Sequence, residues 1–173
     1  MKAVTYYEYG PPDILKTEEV PEPAPKENEL LVKVHAASIN FANPAMVRGK
    51  PFIIRPITGG LMKPRYNIPG SDMAGTVEFV GQNTTEFEPG DEVYGDLSSS
   101  GFGTYAEYVA APETMLVKKP SNLTFEEAAA VPQAGLVALQ GLRKGNIKKG
   151  QKVLIVGASA GNGTFAVQIA KAF

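Results

Sequence analysis

The stretch Val153-Leu154-Ile155-Val156-Gly157-Ala158-Ser159-Ala160-Gly161-Asn162-Gly163-Thr164-Phe165 decides how the whole chain is read. Four consecutive apolar residues are the pattern of a parallel strand buried on both faces. The small residues after them let the backbone turn sharply, and Thr164 to Phe173 predicts a helix. Strand, glycine loop and helix in that order open a doubly wound sheet, where amides at the start of the helix meet a pyrophosphate at the positive end of its dipole. Ala158, Ser159, Gly161, Asn162 and Gly163 are therefore the candidate cofactor-binding residues, with a purely structural tight turn as the alternative. Such a strand lies mid-sheet and needs neighbours on both edges. None follows in the 173 residues, so the expectation is an incomplete Rossmann α/β domain. Its open strand edges and the apolar residues Phe165, Ile169 and Phe173 predict a homodimer or larger assembly.

Upstream of that stretch the pattern is first helical, then β. Thr124-Phe125-Glu126-Glu127 is a capping box opening an Ala-rich segment, divided into two helices near Pro132 and ended by Lys144-Gly145. From Met1 to Asn122, short apolar runs at 2–7, 30–38, 73–80, 91–95, 104–110 and 115–118 are separated by turn signals such as Pro89-Gly90-Asp91. Gly101-Phe102-Gly103 precedes a strand rather than a helix and reads as a hairpin turn. Regular short strands with Gly/Pro punctuation predict a closed or partly open antiparallel barrel. The fold class is thus mainly β, with domains at 1–122 and 123–173.

Composition removes several function classes. Seventeen Lys+Arg against 18 Asp+Glu leaves −1, which is no nucleic-acid footprint. Zero Cys excludes disulfide scaffolds, cysteine nucleophiles and thiolate metal sites, and fits a reducing compartment. No apolar run approaches the ~18 residues of a membrane span, and Met1-Lys2-Ala3-Val4 reads as a strand rather than a signal peptide, so a soluble cytoplasmic protein is expected.

At this point the residues resemble a known family. Gly150-Gln151-x-x-Leu154-x-x-x-Ala158-Ser159-Ala160-Gly161-x-Gly163-x-x-x-x-Gln168-x-x-Lys171 is similar to the quinone oxidoreductase/ζ-crystallin signature of the medium-chain dehydrogenase/reductases. Lys33-Val34 with Ala37-Ser38-Ile39-Asn40, Pro69-Gly70, Pro89-Gly90-Asp91 and Tyr105-Ala106-Glu107-Tyr108 resemble that family's GroES-like catalytic domain. The resemblance implies a GroES-like barrel followed by the first helices and the first β-α unit of a Rossmann domain. It also implies NADPH as cofactor and a quinone or α,β-unsaturated carbonyl as substrate. Preference for NADP over NAD is not readable, because the selecting residue falls about 20 residues beyond the loop.

The resemblance also assigns site residues. Asn40 matches the family's active-site Asn, with a structural turn amide as the alternative; Asn43 stands where relatives often carry Asp, and reads first as a helix cap before Pro44. Zinc-dependent relatives place ligands where this chain has Asn40-Phe41 and Gly70-Ser71-Asp72, so no metal is expected. His35 reads as an ordinary barrel residue. Three positions depart from the pattern: Ala160 replaces a second adjacent glycine, Asn162 replaces Val, and Val137 replaces a cofactor-holding Thr.

Residues 30–71 carry six cations and no Asp or Glu, with Phe52, Ile53, Ile54, Ile57, Leu61 and Met62 among them. The 48–65 part reads as a solvated basic loop, as a lid over the substrate cleft, or as a surface contact with membrane without insertion. Two functions remain open. One is a zinc-independent NAD(P)H-dependent reductase, represented by an N-terminal portion inactive alone. The other is a non-catalytic GroES-like binding or assembly module with a vestigial nucleotide loop.

Overall fold

The β1 strand (Lys2–Thr5) pairs antiparallel with β2 (Lys16–Glu19) as a separate two-stranded ribbon. The structure, a computed structural model, describes residues 1–57 and 60–173. The main sheet holds β3 (Glu29–Ala37), β4 (Asp72–Val80), β5 (Glu92–Asp96), β6 (Tyr108–Pro112) and β7 (Leu116–Lys118), all antiparallel in the order β6-β3-β4-β5-β7. Its two edge strands are joined by the single 3-10 turn Glu113–Met115. Consecutive Cα atoms are about 3.8 Å apart, so so short a link forces the two edges together and the sheet to curl. Two bulges assist. Glu78 is the extra residue between the Leu31↔Phe79 and Val32↔Val77 pairs, and His35 the extra one between Val34↔Gly75 and Ala36↔Ala74. Leu30, Val32, Met73, Val77, Val93 and Leu97 fill the inside, each at most 1% exposed.

The β1–β2 ribbon meets the main sheet through a bridge between Ala3 and Ala106, where the Val4 amide donates to the Tyr105 carbonyl at 2.8 Å. The fold is therefore the partly open antiparallel barrel expected, mainly β in class. Two local readings need correction, and one strand is new. The strand expected at 104–110 is β6 at 108–112, because Tyr105 and Glu107 bond to Val4 and Lys2, and the Thr104 and Tyr105 amides to Gly70 and Pro69. Gly101–Gly103 is not a hairpin turn, since β5 and β6 do not pair; it is a crossing loop in which Gly101, Phe102 and Gly103 all take positive φ. Strand β2 has no apolar alternation, and only its pairing reveals it.

Between β3 and β4 lie α1 (Ala42–Arg48) and the short α2 (Ile54–Ile57). The basic segment 48–65 includes residues 58 and 59 and the Ile57 side chain, which fall outside the described residues. Within it Arg55 lies over the rings of Tyr9 and Phe52, at 4.5 and 5.0 Å, while Ile53 and Met62 stay exposed.

The chain divides into two compact units, Met1–Ala130 and Val131–Phe173. Helix α3 (Phe125–Ala129) packs in the first, which ends eight residues beyond the boundary read from the change of sequence pattern. Its capping box is complete: the Thr124 hydroxyl accepts from the Glu127 amide at 3.2 Å and Glu127 accepts from the Thr124 amide at 2.9 Å. Small Ala128 and Ala129 let the helix lie close on Ala74, and Phe125 stacks on His35 at 4.4 Å. Lys119, nearly buried, donates to the Leu123 carbonyl and pairs with Glu92.

The second unit consists of α4 (Pro132–Lys144) and α5 (Gly161–Ala172), with the glycine loop between them. Pro132 occupies the first turn, where a missing N–H costs nothing. Gly145 stays right-handed at the end of α4, and Asn146 takes the left-handed turn at φ 48°. Two expectations are corrected here. Helix α5 begins at Gly161, not Thr164, because the glycines themselves form its first turn. Residues 153–156 form no strand, since a strand exists only by pairing and no described segment pairs with them. Leu154 and Val156 are each 90% exposed.

Candidate functional site

In the first unit a polar cluster forms where β3 runs out into α1. Asn40 is held at that corner by a reciprocal pair: its amide donates to Asn43 Oδ1 at 2.6 Å, and the Asn43 amide donates to the Asn40 carbonyl at 3.0 Å. Asn43 is not an N-cap. It lies inside the first turn of α1, buried, and its oxygen also accepts from the Tyr105 hydroxyl at 3.1 Å. Tyr105 donates as well to the Ser38 carbonyl at 3.0 Å. Its ring and the Thr104 hydroxyl press on Gly70, whose φ of 94° and lack of a side chain permit the approach.

The Asn40 side-chain nitrogen points to Ser71 Oγ at 3.4 Å and Ser38 Oγ at 3.5 Å. Both bonds are long for N–H···O geometry, so this donor is poorly used and free to turn to a better acceptor. The floor beneath is polar and buried: Ser71, Asp72 and Thr104 are at most 1% exposed. Burial, and then the charge of Asp72, push the Tyr105 phenol up to about 12, so it remains a protonated donor at physiological pH. The corner's outer rim is apolar, with Ile39 79% and Phe41 98% exposed.

Of the positions that carry zinc ligands in zinc-dependent relatives, Asn40 and Ser71 are hydrogen-bonded to each other, Phe41 faces solvent and Asp72 is buried. Among the described residues no three His, Cys, Asp or Glu side chains come together. The one imidazole, His35, lies on the barrel's outer side, with Nε2 3.0 Å from Thr76 Oγ1.

In the second unit, Ala158 and Ser159 occupy the exposed turn before α5, and Ala160 is its N-cap, with no side-chain cap bond. The Ala160 amide closes the turn on the Gly157 carbonyl, and the Thr164 amide donates to the Ala160 carbonyl as the helix begins. The amides of Gly161, Asn162 and Gly163 therefore stand at the open end of the dipole without backbone partners. Gly163 is required by packing: a Cβ there would lie 2.1 Å from the Gly157 carbonyl oxygen. The unit contains Arg143, Lys144, Lys148, Lys149, Lys152 and Lys171 and no Asp or Glu, so nothing in it repels an anion. These features fit the pyrophosphate of a dinucleotide. Val137, half exposed on α4, adds no polar group.

Sequence reading singled out Asn40 and the loop, which belong to the first and second units respectively. It grouped Ser71 with Asn40 only through the zinc-ligand positions of relatives, and missed Thr104 and Tyr105 as parts of the same cluster. Only the Tyr105-Ala106-Glu107-Tyr108 motif hinted at that tyrosine, and only as a family mark.

Comparison with known proteins agrees with this architecture. Residues 26–121 match the alcohol dehydrogenase GroES-like domain. The chain is 38% identical over 178 residues to the 2-methylene-furan-3-one reductase of Solanum lycopersicum, covering 99% of this chain and 44% of that protein. The quinone oxidoreductase of Coxiella burnetii superposes with a TM-score of 0.88 at 35% identity, covering 99% of this chain and 53% of that one. The Escherichia coli quinone oxidoreductase complexed with NADPH gives 0.84 at 29% identity, covering 99% and 50%. The chain thus spans about half the length of the relatives it matches. A GroES-like barrel over most of its length, extended by helices and a glycine loop along which these relatives still align, places the chain in the quinone oxidoreductase-like branch of the medium-chain dehydrogenase/reductase family.

Proposed function

We propose that this chain contributes the substrate side and the start of the nucleotide site of a zinc-independent, NADPH-dependent reductase of quinones or α,β-unsaturated carbonyls. The observation that carries this reading is the Asn40 carboxamide, a donor with only long bonds of 3.4 and 3.5 Å, set on a buried polar floor. When bound, NADPH supplies hydride. The chain's own residues would do the rest: Gly161, Asn162 and Gly163 amides would receive the pyrophosphate, and Asn40 would donate to the substrate oxygen where negative charge develops. Relatives with matching names, and the Escherichia coli enzyme complexed with NADPH, support both the cofactor and the substrate class.

The test is Asn40→Ala in a form carrying a complete nucleotide-binding domain. Loss of one such donor should lower kcat about 100-fold while the NADPH Kd moves less than about threefold. An unchanged kcat would leave Asn40 a turn residue and remove the main support for this reading.

We further propose that the 173-residue chain self-associates through its second unit. Leu154 and Val156 are almost fully exposed and Val153, Val167 and Phe173 about half exposed, and exposed apolar surface of this kind recruits a partner. Like charge opposes pairing two second units, since each carries six cations and no acid. The first unit holds the other 11 Lys+Arg against all 18 Asp+Glu, a net −7, and is the better surface for it. Sedimentation at micromolar concentration should give a dimer or larger species that weakens with added salt. A monodisperse monomer would contradict this.

A further inference from the structure

The tie between Asn40 and Asn43 does not stand alone. The two residues close a ring across one turn, through a 2.6 Å bond from the Asn40 amide to Asn43 Oδ1 and a 3.0 Å return bond from the Asn43 amide to the Asn40 carbonyl. Asn43 Oδ1 is the shared acceptor, taking the Tyr105 hydroxyl at 3.1 Å, whereas Asn43 Nδ2 is buried without a partner among the described residues. The carboxamide is thus used for its oxygen alone. Tyr105 spans the corner, because it also binds the Ser38 carbonyl at 3.0 Å, two residues before Asn40. The tyrosine is fixed in turn by backbone: its amide donates to the Pro69 carbonyl at 3.1 Å, and its ring lies against Gly70 with no room for a Cβ. Sixty-two residues separate Tyr105 from Asn43, so the contact is made by the fold and not by local chain geometry.

We propose that Tyr105 and Asn43 are positioning residues for Asn40: the phenol holds the Asn43 carboxamide, whose oxygen fixes the Asn40 backbone and so aims the Asn40 side-chain amide. The proposal rests on the reading of Asn40 as the donor to substrate. The phenol's raised pKa keeps it a donor wherever the enzyme would work, so this support does not vary near neutral pH. A fixed corner gives the Asn40 backbone one position before substrate arrives, so only the side-chain amide has to turn and its reach is set in advance.

Amide hydrogen exchange of the 15N-labelled 173-residue chain tests the positioning without any catalysis. The Asn40 amide should exchange at least about tenfold faster in Asn43→Ala, consistent with loss of one net hydrogen bond. It should exchange several-fold faster in Tyr105→Phe, a nearly isosteric change. Asn43→Asp, which keeps the acceptor oxygen, should restore it to within about threefold of the parent. The Val77 amide, bonded to Asp91 in the same unit, is the control for general loosening and should not move in Tyr105→Phe. Unchanged Asn40 exchange in both Asn43→Ala and Tyr105→Phe, or parallel acceleration at Val77, would overturn the proposal. In a catalytically complete form Tyr105→Phe should lower kcat severalfold with KM nearly constant. If exchange shifts as expected while even the unmodified form reduces no quinone or enone, the proposed reaction fails and the positioning stands.

Discussion

Gly75→Ala should destabilise the first unit by about 4 kcal/mol, and Gly75→Val should leave it unfolded. Gly75 lies in the middle of β4, paired with Val34 on one side and Val93 on the other. A Cβ there would sit 2.1 Å from the Lys33 carbonyl oxygen and 2.9 Å from a Val32 methyl. The oxygen is backbone, so relief requires β3 and β4 to separate beside the His35 bulge. That opens ladder bonds worth about 1 kcal/mol each and strains a packed core. The loss is large against the 5–15 kcal/mol that typically stabilises a domain. Urea unfolding followed by circular dichroism measures it. A cost under about 1 kcal/mol would mean that the two strands yield far more easily than native packing allows.

Gly70→Ala should cost about 3 kcal/mol and disturb the polar corner as well. Two effects coincide at this position. Its φ of 94° is open to glycine and strained for alanine, and the new methyl would lie 2.3 Å from Thr104 Oγ1 and 2.5 Å from the Tyr105 ring. Gly90 separates the two effects. It has nearly the same φ, 96°, but nothing within 4 Å of an added Cβ, so Gly90→Ala should show the backbone cost alone, about 1 kcal/mol. The difference between the variants is the part due to Tyr105 and Thr104. Equal losses in both would show that Tyr105 moves aside freely, which would also weaken its role as a fixed support.

Features carried by neighbouring residues were readable from the sequence. The Thr124 capping box is one, because four consecutive residues contain all of it, and Pro132 marks the next helix start for the same reason. Strand β2 was invisible because Lys16-Thr17-Glu18-Glu19 has no buried face; its order comes from β1. The apolar run 153–156 was visible, yet its composition cannot supply the neighbour that would make it a strand. At the candidate site, Asn40 was found through a local motif. Asn43 was read as a cap because Asn before Pro commonly is one, and its true partner Tyr105 arrives only when β6 folds back beside β3. The positive φ of Phe102 had no sequence signal beyond its flanking glycines.

The bridge between Ala3 and Ala106 has a consequence for how the molecule is made. A ribosome extends a chain at about 5–20 residues per second, so some 5–20 s pass between the appearance of the first strand and that of its partner in the barrel. The sheet's two edges wait longer still, since β6 and β7 follow every strand they enclose. Until they emerge, β3 and β5 offer unpaired backbone on an apolar surface. The interval of greatest exposure to aggregation and to chaperones therefore falls late in the making of the barrel, and the Glu113–Met115 turn, which brings the last two strands to opposite edges of the sheet, ends it.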